Sequence, residues 1–157
     1  MKHLMLAALL TLPAAAHADP YLRRCHMGEC LHYDQVSRHI VGTGSAAVPG
    51  DLVMVSLRSA VSADPDADPA ELDWSEPAPA QLFCSIPCPA SRLPDGGYQG
   101  LDLVTPAGAT TQVTAMYMRA CHPETDIADD PFAAAAELGY GTTPTDVAPD
   151  FGAVTQG

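Results

Sequence analysis

Five cysteines follow a stretch with the pattern of a cleavable leader, and that pairing limits the fold more than any other feature of the chain. Met1–Ala18 opens on Lys2 and continues as an apolar run, Leu4–Leu12. It ends in small residues with an Ala16-His17-Ala18 step that suits a signal peptidase. The run is too short to persist as a membrane-spanning helix, and no later stretch is long and apolar enough for one. Cleavage after Ala18 would leave 139 of the 157 residues, starting at Asp19. The expected location is periplasmic or secreted, where thiols oxidise to disulfides. A chain of this length makes one domain with a modest core, so covalent staples matter to it.

The charge is one-sided. The whole chain has a formal net charge of −12, and loss of Lys2 with the leader takes it to −13. No lysine remains in the mature part, whose basic side chains are Arg23, Arg24, Arg38, Arg58, Arg92 and Arg119. A field of this sign repels phosphate backbones and anionic lipid heads, which argues against nucleic acid as a partner. A cationic partner or ion remains electrostatically allowed.

Strand signals dominate the first half. Leu31–Val41 alternates, with a slip of phase at Val36-Ser37 that predicts a bulged strand ending at Gly42-Thr43-Gly44. Asp51–Val61 alternates best, with Leu52, Met54, Ser56 and Arg58 on one side and Val53, Val55 and Leu57 on the other. Ser62–Ala80 is rich in proline and carries Asp64, Asp66, Asp68, Glu71, Asp73 and Glu76. It reads as an exposed acidic loop with Trp74 docked on the core. Gln81–Ser85 and Tyr98–Val104 are further strands, the second after the turn Pro94-Asp95-Gly96-Gly97. In Thr110–Cys121 the residues Val113, Met116, Tyr117 and Ala120 follow helical spacing, although Ala115, Tyr117, Arg119 and Cys121 also alternate. Helix is the better fit. Asp130-Pro131 opens a second helix, Pro131–Leu138, stopped by Gly139. Residues 140–157 show no periodicity and read as a disordered tail, leaving 19–139 as a single domain.

The cysteines give C-x4-C at Cys25 and Cys30, C-x3-C at Cys84 and Cys88, and a lone Cys121. Two bridges and one free thiol can be arranged in fifteen ways. The segment Phe83-Cys84-Ser85-Ile86-Pro87-Cys88-Pro89 resembles the C-x3-C-P motif of periplasmic copper-delivery proteins of thioredoxin fold. That resemblance implies Cys84 and Cys88 as thiolates and His122 as third ligand for copper, or a thiol–disulfide exchange role. Cys25, His26 and Cys30 are a second set of soft ligands for copper or zinc. Asp64-x-Asp66-x-Asp68 begins like a calcium loop, but Pro69 and Ser75 stand where the loop needs Gly and Glu. No serine sits in a Gly-x-Ser-x-Gly turn.

A wider pattern joins the early C-x4-C, Phe83-Cys84-Ser85 with Pro89-Ala90, Asp95–Tyr98 and Tyr117–His122. It resembles a group of small exported proteobacterial cysteine-containing proteins of unassigned activity. The resemblance implies Cys25, Cys30, Cys84 and Cys121 as the structural four, with Cys88 extra. The expected pairing is Cys84–Cys121 with a local Cys25–Cys30 bridge, and Cys88–Cys121 is the competing choice. The fold expected is α+β or mainly β, a small disulfide-stabilised β-rich core with one or two short C-terminal helices. The function expected is a non-enzymatic binding or structural role with a protein partner and no cofactor, and metal or thiol chemistry at Cys84, Cys88 and His122 is the alternative.

Overall fold

A computed structural model describes residues 20–107, 110–127 and 130–156. The leader expectation, Met1–Ala18, lies outside them. The strands are β1 (Tyr21–His26), β2 (Glu29–Thr43), β3 (Asp51–Ser62), β4 (Ala78–Cys84), β5 (Ala90–Arg92), β6 (Tyr98–Gly100) and β7 (Val147–Ala148). They form one antiparallel sheet in sequence order, each strand pairing with the next. The helices are α1 (Thr110–Cys121), α2 (Pro131–Glu137) and α3 (Phe151–Gln156). This is the β-rich, two-disulfide domain that the sequence predicts, with short helices in its C-terminal part.

Local chemistry sets the connections. β1 turns into β2 at Met27-Gly28, where both residues have positive φ (51° and 86°), the backbone of a tight two-residue hairpin. β2 pairs with β3 over its whole length, with register shifts at Gln35/Ser37 and Ile40/Gly42. The first shift is the bulge that the slip at Val36-Ser37 announces. Asp130 caps α2 through Oδ1, which accepts from the amides of Phe132 and Ala133, both at 3.0 Å. Pro131 takes the first turn, and Gly139 ends the helix at φ 93°.

The pleat of β3 divides the core in two. Val53, Val55 and Leu57 point with Leu82 of β4 to the side covered by α1 and α2. There they meet Leu101, Leu103, Tyr117, Met118, Ala120, Ala135 and Tyr140. Leu52 and Phe83 point the other way, to a smaller cluster with Val48, Ala90 and Tyr98, closed by Phe151 and Val154 of α3. Phe83 meets Phe151 edge to face, with ring centroids 5.0 Å apart.

Two expectations need correction. The strand from Tyr98 stops at Gly100 rather than at Val104. Asp102 Oδ1 accepts from the amides of Val104 and Thr105, each at 3.1 Å, and that side-chain turn takes the backbone out of the sheet. Residues 140–156 are also not a disordered tail. Tyr140 is buried, β7 pairs with β6, and α3 lies on the second cluster. Ordering this segment is offset by partners about fifty residues away, which local periodicity cannot register. Gly100 is needed here, because a Cβ on it would collide with the carbonyl oxygen of Pro144 where the chain crosses β6.

Candidate functional site

The five cysteines resolve into two bridges, Cys25–Cys30 and Cys84–Cys121, with Cys88 a half-buried free thiol. Cys84 ends β4 and packs against the helix-side core. Cys88, four residues on, packs against the cluster on the opposite face. His122 follows the last residue of α1, with Nε2 2.8 Å from the Tyr140 hydroxyl. The predicted copper set of Cys84, Cys88 and His122 is therefore not assembled: one sulfur is in a bridge and the other thiol lies across the sheet. The set of Cys25, His26 and Cys30 fails for the same reason, since both of its sulfurs are bridged to each other. Among the described residues no three His, Cys, Asp or Glu side chains come together as a metal site. Nor is the antiparallel meander the thioredoxin-like fold that the C-x3-C-P resemblance implies.

The Cys84–Cys121 bridge is set in a buried polar chain that sequence reading missed. The Tyr117 hydroxyl donates to Phe83 O (2.8 Å) and accepts from Ser85 N (3.0 Å), so it holds both peptides flanking Cys84. Tyr140 donates to the Tyr117 hydroxyl at 3.4 Å, and Ser85 Oγ donates to Pro49 O at 2.7 Å. Burial pushes the Tyr117 phenol far above its ordinary pKa, and the neighbouring Tyr140 pushes the same way. Burial, then Arg38 nearby, holds the His122 imidazole below its ordinary value. Both rings are thus kept neutral at neutral pH. The available signal was a tyrosine four residues before a cysteine on one helix, which places ring and sulfur on one face.

On the other face of the sheet, cross-strand register makes a second polar row. Cys30 pairs with Ser62, His32 with Ala60, and Asp34 with Arg58. Asp34 Oδ2 accepts from Arg58 Nε at 2.7 Å, and the Asp34 side chain is only 2% exposed. The guanidinium carbon lies 4.9 Å from the centroid of the Trp74 ring. His32 Nε2 is 2.8 Å from Ser62 Oγ. Ser62 Oγ already donates its proton to Asp64 O, so His32 steadies this hydroxyl rather than activating it as a nucleophile.

This row is the footing of the acidic loop. Trp74 holds the loop on Arg58 and is half-buried there, rather than docking on either core cluster as expected, and its indole N–H donates to Pro69 O at 3.0 Å. Ser75 exchanges two bonds with the backbone of Ser59, at 2.8 and 3.0 Å. Asp68 caps a short 3-10 turn, Pro69–Glu71, and Asp64 Oδ1 accepts from Asp66 N at 2.9 Å. Asp64, Asp66, Asp68, Glu71, Asp73 and Glu76 are all exposed. What the arrangement offers chemically is six exposed carboxylates on a loop whose backbone is tied down at Asp64, Pro69 and Ser75.

No family model, no curated protein and no solved structure matches this chain. Among the described residues no helix is long and apolar enough to cross a membrane.

Proposed function

We propose that this chain is an exported, non-enzymatic binding domain whose acidic loop receives a cationic segment of a partner protein. The observation that carries the reading is the footing of the loop. Trp74, Arg58, Asp34, Ser75 and the His32–Ser62 contact fix its backbone before any partner arrives. A binding surface already in shape loses less conformational entropy on association, and a field of one sign speeds the encounter with the opposite charge. Two disulfides fit export to an oxidising compartment, and the leader pattern of Met1–Ala18 fits periplasmic or secreted delivery.

The test uses a fluorescent nona-arginine peptide and anisotropy at two salt concentrations. Neutralising Asp64, Asp66, Asp68 and Glu71 together, as Asn and Gln, should weaken binding about tenfold or more, a change of about 1.4 kcal/mol. Neutralising Glu29, Glu124, Glu137 and Asp150, which are equally exposed, should change it about twofold at most. Equal losses in the two variants would mean that bulk charge, not the loop, attracts the peptide, and would reject the proposal.

A further inference from the structure

The ladder between β4 and β5 has two pairs, Leu82 with Ser91 and Phe83 with Ala90. In the same register Gln81, Ala80 and Pro79 would stand opposite Arg92, Leu93 and Pro94, but they do not pair and the strands part. Pro79 and Pro94 have no amide hydrogen to give to a ladder. Leu93 donates its amide to Gly97 O (2.7 Å) and accepts from Gly96 N (3.0 Å), so its backbone serves the turn before β6. Between the parted strands lies a cleft of about 340 Å³, lined by these residues and by Met54 of β3. Polar and apolar atoms share the lining. Arg92 is exposed and Gln81 half-buried, so both side chains have surface to offer a ligand.

We propose that this cleft binds a carboxylate with a short apolar body, either a free acid or the last residue of a chain. Among the described residues the one ion pair is Asp34–Arg58, so Arg92 has no carboxylate partner of its own. Asp95 turns its Oδ1 to the Gly97 amide at 3.1 Å and is not in the lining. The Tyr98 hydroxyl donates to Gln81 Oε1 at 2.9 Å, which leaves Gln81 Nε2 as a second donor beside the guanidinium. In a chain of net charge −12, a cleft with these two donors and no carboxylate selects an anionic group. Screening over about 8 Å at physiological salt limits the reach of negative charge carried elsewhere. Met54, Ala80, Leu93 and the two prolines take the apolar body. The site uses none of the six loop carboxylates, so its test and that of the acidic loop do not decide each other.

The probes are 3-phenylpropionate with phenethylamine, near-matched in shape and opposite in charge, and a tripeptide ending in phenylalanine with its C-terminal amide. Amide chemical shifts and titration calorimetry read them on the intact protein. The carboxylates should bind saturably, with shifts centred on Ala80, Gln81, Arg92 and Leu93, and the amine and the amide at least about tenfold more weakly. The tighter of the two carboxylates assigns the source, free acid or chain end. Arg92→Gln should weaken carboxylate binding about tenfold and leave the melting temperature within about 2 °C, because the side chain is exposed. Gln81→Glu keeps an acceptor for Tyr98 but puts a carboxylate in the cleft, and it should abolish carboxylate binding. The proposal is overturned if neither carboxylate binds saturably, if both bind no better than their uncharged or cationic counterparts, or if affinity is unchanged in Arg92→Gln or in Gln81→Glu.

Discussion

Replacing Cys84 and Cys121 together with alanine should lower the unfolding free energy by about 4 kcal/mol. The bridge joins residues 37 apart in sequence, and on the chain-entropy model closing a loop of that length removes this much freedom from the unfolded chain. It also ties the end of β4 to the last residue of α1, the seam where the helices meet the sheet. The Cys25–Cys30 bridge is the internal comparison. It spans only 5 positions, in a hairpin at the sheet edge whose turn already fixes the two strands. On the same model, removing it should cost about 2 kcal/mol. Urea unfolding of both double variants measures the difference, and an equal or larger loss at Cys25–Cys30 would contradict the seam as the main staple.

Tyr117→Phe should cost about 2 kcal/mol, although it removes a single oxygen. The ring is fully buried, so the Ser85 amide and the Phe83 carbonyl would each lose a partner where water does not reach. The two groups keep their 3.1 Å bond to each other, so neither is left without a partner, and the loss is that of two buried hydrogen bonds at about 1 kcal/mol each. Tyr140→Phe serves as the control. It breaks the contact with His122 and the long 3.4 Å bond to Tyr117, and leaves the peptides around Cys84 paired. It should cost about 1 kcal/mol. Comparable losses in the two variants would mean that the hydroxyl of Tyr117 does not brace the bridge.

What the sequence revealed follows the reach of each interaction. α2 was legible because Asp130, Pro131 and Gly139 act within one turn of their own positions. The bulge in β2 was legible because a slipped alternation is visible along the strand itself. The expected Cys84–Cys121 bridge agrees with the structure, but the copper set built on Cys84 and Cys88 does not. Spacing along the chain gave their separation without the side of the sheet each would take at the end of β4. The Asp34–Arg58 pair was hidden because opposite charges on two strands become partners only once register is set. The order in residues 140–156 was hidden for a related reason: Phe151 has its partners at Phe83 and Tyr98, far away in sequence.

The proposed function rests on the acidic loop being held in shape, and Trp74→Ala separates shape from charge. The substitution removes the ring that covers Arg58 and the donor to Pro69 O, and it changes no charged residue. Measured by anisotropy with the same nona-arginine peptide, the affinity should fall about fivefold while the six loop carboxylates remain. An affinity equal to that of the unaltered protein would show that the loop binds as diffuse charge, and would contradict the claim that its footing prepares it for a partner.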